Sequence, residues 1–381
     1  MLSMAKTDFD DIEQFREDDF FAKTLNLSKG VAPSSPTLRL RLNAATDMWD
    51  KAILEANTYL LKEYAKITPC PEGFVRLDYD VSPFDNSGSK KEGVSMTYKM
   101  KDGFAPMFVY MGQEGHMINL EFREGKCHCQ NGTPEFIRET IRIAKKIDNR
   151  SLLSVFDSGN DSIDNVVECR AEGSDFIIKR NLRKESTDDW LEIAQDFGTA
   201  HEVRPGKVEY IGSVLVSHEK LDDPIRIAFR VIKRTIDRKG QHLLVADIEV
   251  ETYWTSLELS PLTIIDLYHA HGTSEQFHSE FKGDMDLERL PSGHFSTNTR
   301  IMYLGLITYN ILRLIGQGSL EYDVYNSRRK KVFRRRLRSV IQDIIYLASR
   351  LVKKANRYWI SFGRHCPYYD VFKGLYGRWA T

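Results

Sequence analysis

Cysteine is scarce, with five in 381 residues: Cys70, Cys127, Cys129, Cys169 and Cys366. An odd, scattered set argues against a disulfide framework and fits a reducing compartment. Cys127-His128-Cys129 lacks a second ligand pair at zinc-site spacing, so these cysteines read as structural thiols. Long apolar runs are missing as well. The most apolar stretch, IMYLGLITYNILRLIG (301–316), is short for a membrane span and contains Asn310 and Arg313. It reads as a buried helix, and no membrane partner is expected. Residues 1–25 are acidic and have no apolar core, which predicts no secretory leader and a cytoplasmic location. Net charge is absent too: 54 Lys and Arg balance 54 Asp and Glu, so the total selects no partner. No internal repeat and no low-complexity segment is visible.

What is present is an ordinary globular composition, 41% hydrophobic and 28% charged, in a chain long enough for two or three domains. The balanced charge hides a segregation. From Arg328 to Thr381 there are 15 Lys and Arg against Asp343 and Asp370 alone, while Asp8, Asp10, Asp11, Glu13, Glu17, Asp18 and Asp19 crowd the opening stretch. Local charge of this kind matters to a polyanion more than the sum does.

Residues 7–65 read as helical, with Ser35 as N-cap and Pro36 at the first helical position of one helix. TPCPEG (68–73) breaks that pattern. FVRLDYDVS then alternates, placing Val75, Leu77 and Tyr79 on one face and Arg76, Asp78 and Asp80 on the other. GVSMTYKM, FAPMFVYMG and MINLEFRE are further strand candidates. TPEFIRETIRIAKKI (133–147) is an amphipathic helix with Thr133 as its expected N-cap. SLLSVFDSG (151–159) is an apolar strand ending at Asp157, followed by a short helix and the strand DFIIKR. Residues 181–256 are β-rich and read as an insertion. Helices are expected again over 260–285, 296–317 and 331–358. A meander, a crossover and a strand ending in an acid make a mixed α/β sheet, whose strand ends are where sites form.

Tyr268, His271, Glu275 and Lys282 stand at offsets of three, seven and fourteen, which a helix brings onto one stripe. Such a stripe is a solvated face or a catalytic helix. Asp80 lies near the end of the first strand, Asp157 at the end of the strand after the long helix, and Glu275 in the middle of the stripe. Hard carboxylate oxygens on rigid elements are what a pair of Mg²⁺ or Mn²⁺ ions, roughly 3.5–4 Å apart, requires for phosphoryl transfer. Asp78 shares a face with Asp80 and is the fallback ligand.

On these residues the chain resembles the DDE transposases of bacterial insertion sequences, the branch with a Tyr-Arg-Glu-Lys signature. Tyr268, Glu275 and Lys282 match at the required spacing, and His271 stands at the Arg position. LDYDVSPFDNSGSKKEGVSMTYK, GKCHCQNGTPEF, FDSGNDS, LERLPSGHFSTN and RYWISFGRHCPYYDVFKGLYGRW extend the likeness over 8–381. The resemblance implies Asp80, Asp157 and Glu275 as catalytic, metal-binding residues, with two Mg²⁺ ions (Mn²⁺ as substitute). It implies an α/β fold with an RNase H-like catalytic core at 74–180 and 257–325. The core would hold a β-rich insertion at 181–256 and be flanked by a helical N-terminal region (1–68) and a basic helical C-terminal region (326–381).

Partners follow from the same reading. Tyr268, His271 and Lys282 would face DNA backbone, although His cannot give the bidentate fork of Arg. The run RRKKVFRRRLR offers Arg328, Arg329, Lys330, Lys331, Arg334, Arg335, Arg336 and Arg338 as DNA contacts, against the plainer reading of a solvated face. Arg226, Arg230, Lys233, Arg234, Arg238 and Lys239 are a second candidate, open to the same plain reading. The resemblance implies double-stranded DNA, as element ends and target, with a homodimer on DNA at the nucleoid. The activity implied is cutting at terminal inverted repeats and joining of 3′ ends. A silent, domesticated DNA-binding descendant and an RNase H-like metal-dependent nuclease are the rivals.

Overall fold

A computed structural model describes residues 1–27, 31–322, 332, 334–355 and 357–379. They fall into two units. One comprises Met1–Thr68, Ser82–Cys127 and Glu275–Thr381; the other comprises Pro69–Val81 and His128–Ser274.

The second unit carries the acidic strand ends. Its strands Val75–Val81, Leu152–Phe156 and Asp175–Lys179 lie side by side and parallel. All five residues of Leu152–Phe156 are buried, as expected for a parallel strand covered on both faces. The crossover helices Thr133–Ile147 and Ile163–Ala171 pack together, clipped by Arg138–Glu168 at 2.6 Å and Arg142–Glu172 at 2.7 Å. The sheet continues antiparallel through His242–Thr255, Ile225–Ile236, Lys207–Val216 and Gly198–Arg204. These four strands occupy the stretch expected to be β-rich. A helix not expected there, Thr187–Phe197, precedes them and buries Trp190 and Ala194.

The first unit is mainly helical. Phe295–Tyr322 packs against Asp47–Tyr64 and the hairpin of Met107–Met111 with His116–Glu121. Asn310, a polar residue in the apolar run, is buried with its amide satisfied. Its amide donates to Asn57 Oδ1 (2.7 Å) and to the Met117 carbonyl (2.6 Å), and its oxygen accepts from the Met117 N–H (3.0 Å). Arg313 is fully buried and donates to Glu280 Oε2 at 3.0 Å, while Arg334 binds the other Glu280 oxygen. Among the described residues, no helix is long and apolar enough to cross a membrane.

Several local expectations are corrected. Ser34 caps the helix Ser35–Ala44, because the Ser35 hydroxyl is taken by Asp10. Gly132, in the left-handed region at φ 69°, precedes the helix starting at Thr133, whose hydroxyl donates back to the Cys129 carbonyl. Only Ser95–Met96 of GVSMTYKM is a strand. Among the described residues, the helix expected over 331–358 is confined to Leu337–Val340 and the π-turn Ile341–Ile345. Ser349–Lys354 and Arg357–Phe362 form an antiparallel hairpin instead. Val352, Tyr358, Trp359, Ile360 and Phe362 are β-branched or aromatic, and strand pairing rewards them more than a helix does. The C-terminal region is therefore mixed rather than helical, ending in the helix Tyr369–Trp379.

Two stability effects follow. Removing Glu280 strands the buried Arg313 charge, so Glu280→Ala should cost about 3–5 kcal/mol in urea unfolding, and joint apolar replacement of the pair far less. His116 is fully buried; burial, then the Arg313 charge, lower its pKa to about 3. The unfolded chain, with a histidine near its ordinary value, binds that proton first. The His116 contribution is thus complete above about pH 6.5 and is lost as pH falls toward 3. Urea midpoints at neutral and mildly acidic pH should converge in His116→Gln relative to the parent chain.

Candidate active site

The parallel register builds the site. Val75–Val81 and Leu152–Phe156 pair from Val75 with Leu152 to Tyr79 with Phe156. One step beyond the last pair come Asp80 and Asp157, at the carboxyl ends of neighbouring strands. Burial first, and the Asp80 charge second, push the Asp157 carboxyl above its ordinary value. Against this, the Asn160 amide donates to Asp157 Oδ1 at 2.7 Å. Asn160 is fully buried on the one-turn 3₁₀ helix Ser158–Asn160, and its own carbonyl accepts from Asn165 at 2.8 Å. DSGNDS is thus a turn that holds a carboxylate from the side. A side chain at Gly159 would crowd Asp157 Oδ1 and Cys129 Sγ, each 3.3 Å from where its Cβ would sit.

Asp78, two residues before Asp80 on the same strand face, is fully buried and differently employed. Arg76 Nε donates to its carboxylate at 3.0 Å, and His271 Nδ1 lies 2.9 Å from Oδ1. Arg76 also donates to Thr273 Oγ1 at 3.1 Å. Burial works against protonation of His271, but Asp78, with Asp80 adding, raises the imidazole above its ordinary value. His271, expected on DNA backbone, is instead a buried partner of Asp78. Tyr268 is half-buried against Tyr253, with ring centroids 4.7 Å apart. Burial, then the Asp157 and Asp80 charges, raise its phenol, so it stays protonated.

The signature segment does not form one uniform helix. It runs as the α-helix Pro261–His269, the 3₁₀ turn Ala270–Thr273, the α-helix Ser274–Ser279 and the π-turn Glu280–Asp284. The 100° step behind a single stripe therefore holds only within its α-helical parts. Tyr268 and His271 belong to the unit with Asp80 and Asp157; Glu275, exposed, and Lys282 belong to the other. Among the described residues, no group of three or more His, Cys, Asp or Glu side chains is arranged to hold a metal. Asp80 and Asp157 nevertheless fit a hard dication as two of its ligands. Both are carboxylates at adjacent strand ends, and the Asp80 charge is unfavourable to that of Asp157.

The family model described as "Transposase DDE domain group 1" matches residues 1–380. The chain belongs to the DDE transposase family. Among solved structures, a piggyBac transposase synaptic complex with hairpin DNA is similar at 10% identity and a TM-score of 0.40, over 86% of this chain and 65% of that one. The chain thus spans just under two thirds of that relative's length. No curated protein matches the sequence.

In this DDE transposase chain the remaining expected DNA contacts are mostly engaged internally. Lys282 donates to the Pro83 carbonyl and lies 5.1 Å from the Phe84 ring centroid. Arg334 is bound by Glu280 and Gln276, and Arg336 is forked on Asp284 at 2.8 and 3.0 Å. Arg335 is buried, 5.6 Å from the Tyr368 ring, while Arg338 is exposed. Arg328, Arg329, Lys330 and Lys331 lie outside the described residues. In the β-rich stretch, Arg230 pairs with Glu209 and Arg234 with Asp247, both at 2.9 Å, which is a cross-strand ion-pair face. Arg76 and Asn160 were not singled out from sequence. Alternation put Arg76 on the Asp78 face, which was the available signal; Asn160 had none beyond its place in DSGNDS.

The two kinds of acid should separate in stability. Asp78→Asn breaks a buried ion pair and should cost about 3 kcal/mol in thermal or urea unfolding. Asp157→Asn removes a repelled, desolvated charge and should leave stability unchanged or raise it by up to about 1 kcal/mol.

Proposed function

We propose that this protein is a DNA transposase that cuts at the terminal inverted repeats of its element and joins the freed 3′ ends to target DNA. The observation that carries the reading is the pairing of Asp80 with Asp157 at adjacent parallel strand ends. Family membership supports it. Within the reading, the parallel strands belong to an RNase H-like core, the antiparallel strands after 181 to its insertion, and the element to a bacterial insertion sequence. Two copies would act on two DNA ends, at the nucleoid.

Asp80 and Asp157 would hold Mg²⁺, or Mn²⁺ in its place. Glu275 is carried by the signature as the third ligand. When bound, two such ions supply positive charge to the attacking and leaving oxygens of an in-line displacement. The chain's residues do the positioning. Asn160 fixes the Asp157 carboxylate through Oδ1. The Arg76–Asp78–His271 cluster braces the strand carrying Asp80, and the Arg76 guanidinium neutralises Asp78. Asp78 is thereby committed to structure, which favours Asp80 as the ligand. Tyr268, kept protonated, is a hydrogen-bond donor and not a nucleophile. Water or a 3′-hydroxyl attacks directly, without a covalent protein–DNA intermediate.

The test mixes the purified chain with Mg²⁺ and DNA carrying the inverted repeats that flank its gene. Cleavage and joining should occur at the repeat ends. Asp80→Asn, Asp157→Asn and Glu275→Gln should each reduce the rate by about a thousandfold or more, as loss of a charged transition-state partner does. Binding without cutting in either metal would mark a silent descendant. Cutting without joining would mark a nuclease.

A further inference from the structure

The first unit contains a second chemically distinct surface. The hairpin Ser349–Lys354 and Arg357–Phe362 pairs Val352 with Trp359 and Lys354 with Arg357. Strand alternation then sorts its side chains. Leu351, Tyr358, Ile360 and Phe362 share one face; Arg350, Lys354, Arg357 and Trp359 share the other. Leu351, Tyr358, Ile360 and Phe362 line a cleft of about 550 Å³ together with Phe20, Lys23, Phe372, Lys373 and Tyr376, and Trp359 borders it as well. Phe372 and Tyr376 stack at an interplanar angle of 13°. Lys23 lies 4.3 Å from the Tyr358 ring centroid and 3.6 Å from the exposed Asp19.

Trp359, which alternation sets toward the opposite face and which also borders the cleft, is 55% exposed. It is flanked by exposed Arg350, Lys354 and Arg357, and the sequence has no acid between Asp343 and Asp370. Exposed aromatic rings are costly to leave in water, and a protein core partner would not need the cations. Ring faces framed by Lys and Arg, with no acid in the hairpin, suit a ligand that is itself flat, aromatic and polyanionic. Arg350 and Lys354 are four residues apart, or about 13 Å along the strand, a span that reaches across successive phosphates.

We propose that this cleft and the bordering edge of its hairpin bind unpaired nucleotides of a DNA strand, one base stacking on Tyr358 within the cleft and another on Trp359 at its border, with Lys373 meeting a phosphate in the cleft and Arg350 and Arg357 meeting phosphates of the strand where it passes the Trp359 border. The inference rests on the proposed DNA substrate and adds a preference for strand ends that are not paired. Stacked bases track this surface without sequence selection.

The test is fluorescence anisotropy with the full chain, in EDTA to prevent cutting, at one fixed salt concentration. The probes are a blunt duplex, the same duplex with a short thymine overhang, and oligothymidine. The chain should bind the overhang about tenfold more tightly than the blunt duplex. Trp359→Ala and Tyr358→Ala should each remove most of that preference, and Lys373→Glu should weaken it, while blunt-duplex binding stays unchanged. Equal binding of blunt and overhanging DNA, or a preference intact in all three variants, would overturn the proposal and leave the duplex-binding reading standing. Failure to bind any probe would overturn both. A change in sedimentation mass in the variants, with the overhang preference intact, would make the face a protein interface and overturn it too.

Discussion

Two carboxylates held side by side by strand register are the constraint on which the rest depends. Adjacent parallel strands advance together, so an acid one residue past the last pair on each strand meets its counterpart whatever the surrounding sequence does. Carboxylates in that position repel, and burial makes the repulsion worse. The neighbourhood is arranged to manage the cost: Asn160 supports Asp157, and Asp78 beneath is neutralised by Arg76 and held by the His271 ring.

The contrast between Asp78 and Asp80 shows how burial and partners assign roles to residues of one type. Both sit on the same strand face, two residues apart. Asp78 has lost all contact with solvent and is held by the Arg76 guanidinium and the His271 ring, which makes it structural. Asp80 is only partly buried, and its charge acts on the neighbouring Asp157, which is the ground for proposing it as the ligand. His271 belongs with Asp78. Its place in the signature put it among residues expected to touch DNA, but its ring reaches the strand below.

Much of the fold was legible because periodicity is a local property. The acidic strand, the apolar strand before Asp157, the amphipathic helix Thr133–Ile147 and the β-rich stretch after 181 all follow from period-two or period-3.6 patterns. Asp80 and Asp157 were legible for the same reason, since both end patterned strands. The misses came from interactions distant in sequence. The basic run from Arg334 to Arg336 reads as a polyanion site until Glu280 and Asp284, some fifty residues earlier, take up its charge. The C-terminal hairpin was hidden because Arg and Lys favour helix while the interleaved aromatics favour strand, and pairing decided it. The uniform stripe failed where the helix changed pitch at Ala270 and again at Glu280.

Mn²⁺ binding to the purified chain, followed by titration calorimetry, bears most directly on the central claim. The parent chain should bind the ion, and Asp80→Asn and Asp157→Asn should each abolish or severely weaken binding while the fold stays intact by circular dichroism. Undiminished Mn²⁺ binding in both folded variants would contradict the assignment of this carboxylate pair as the metal-holding centre.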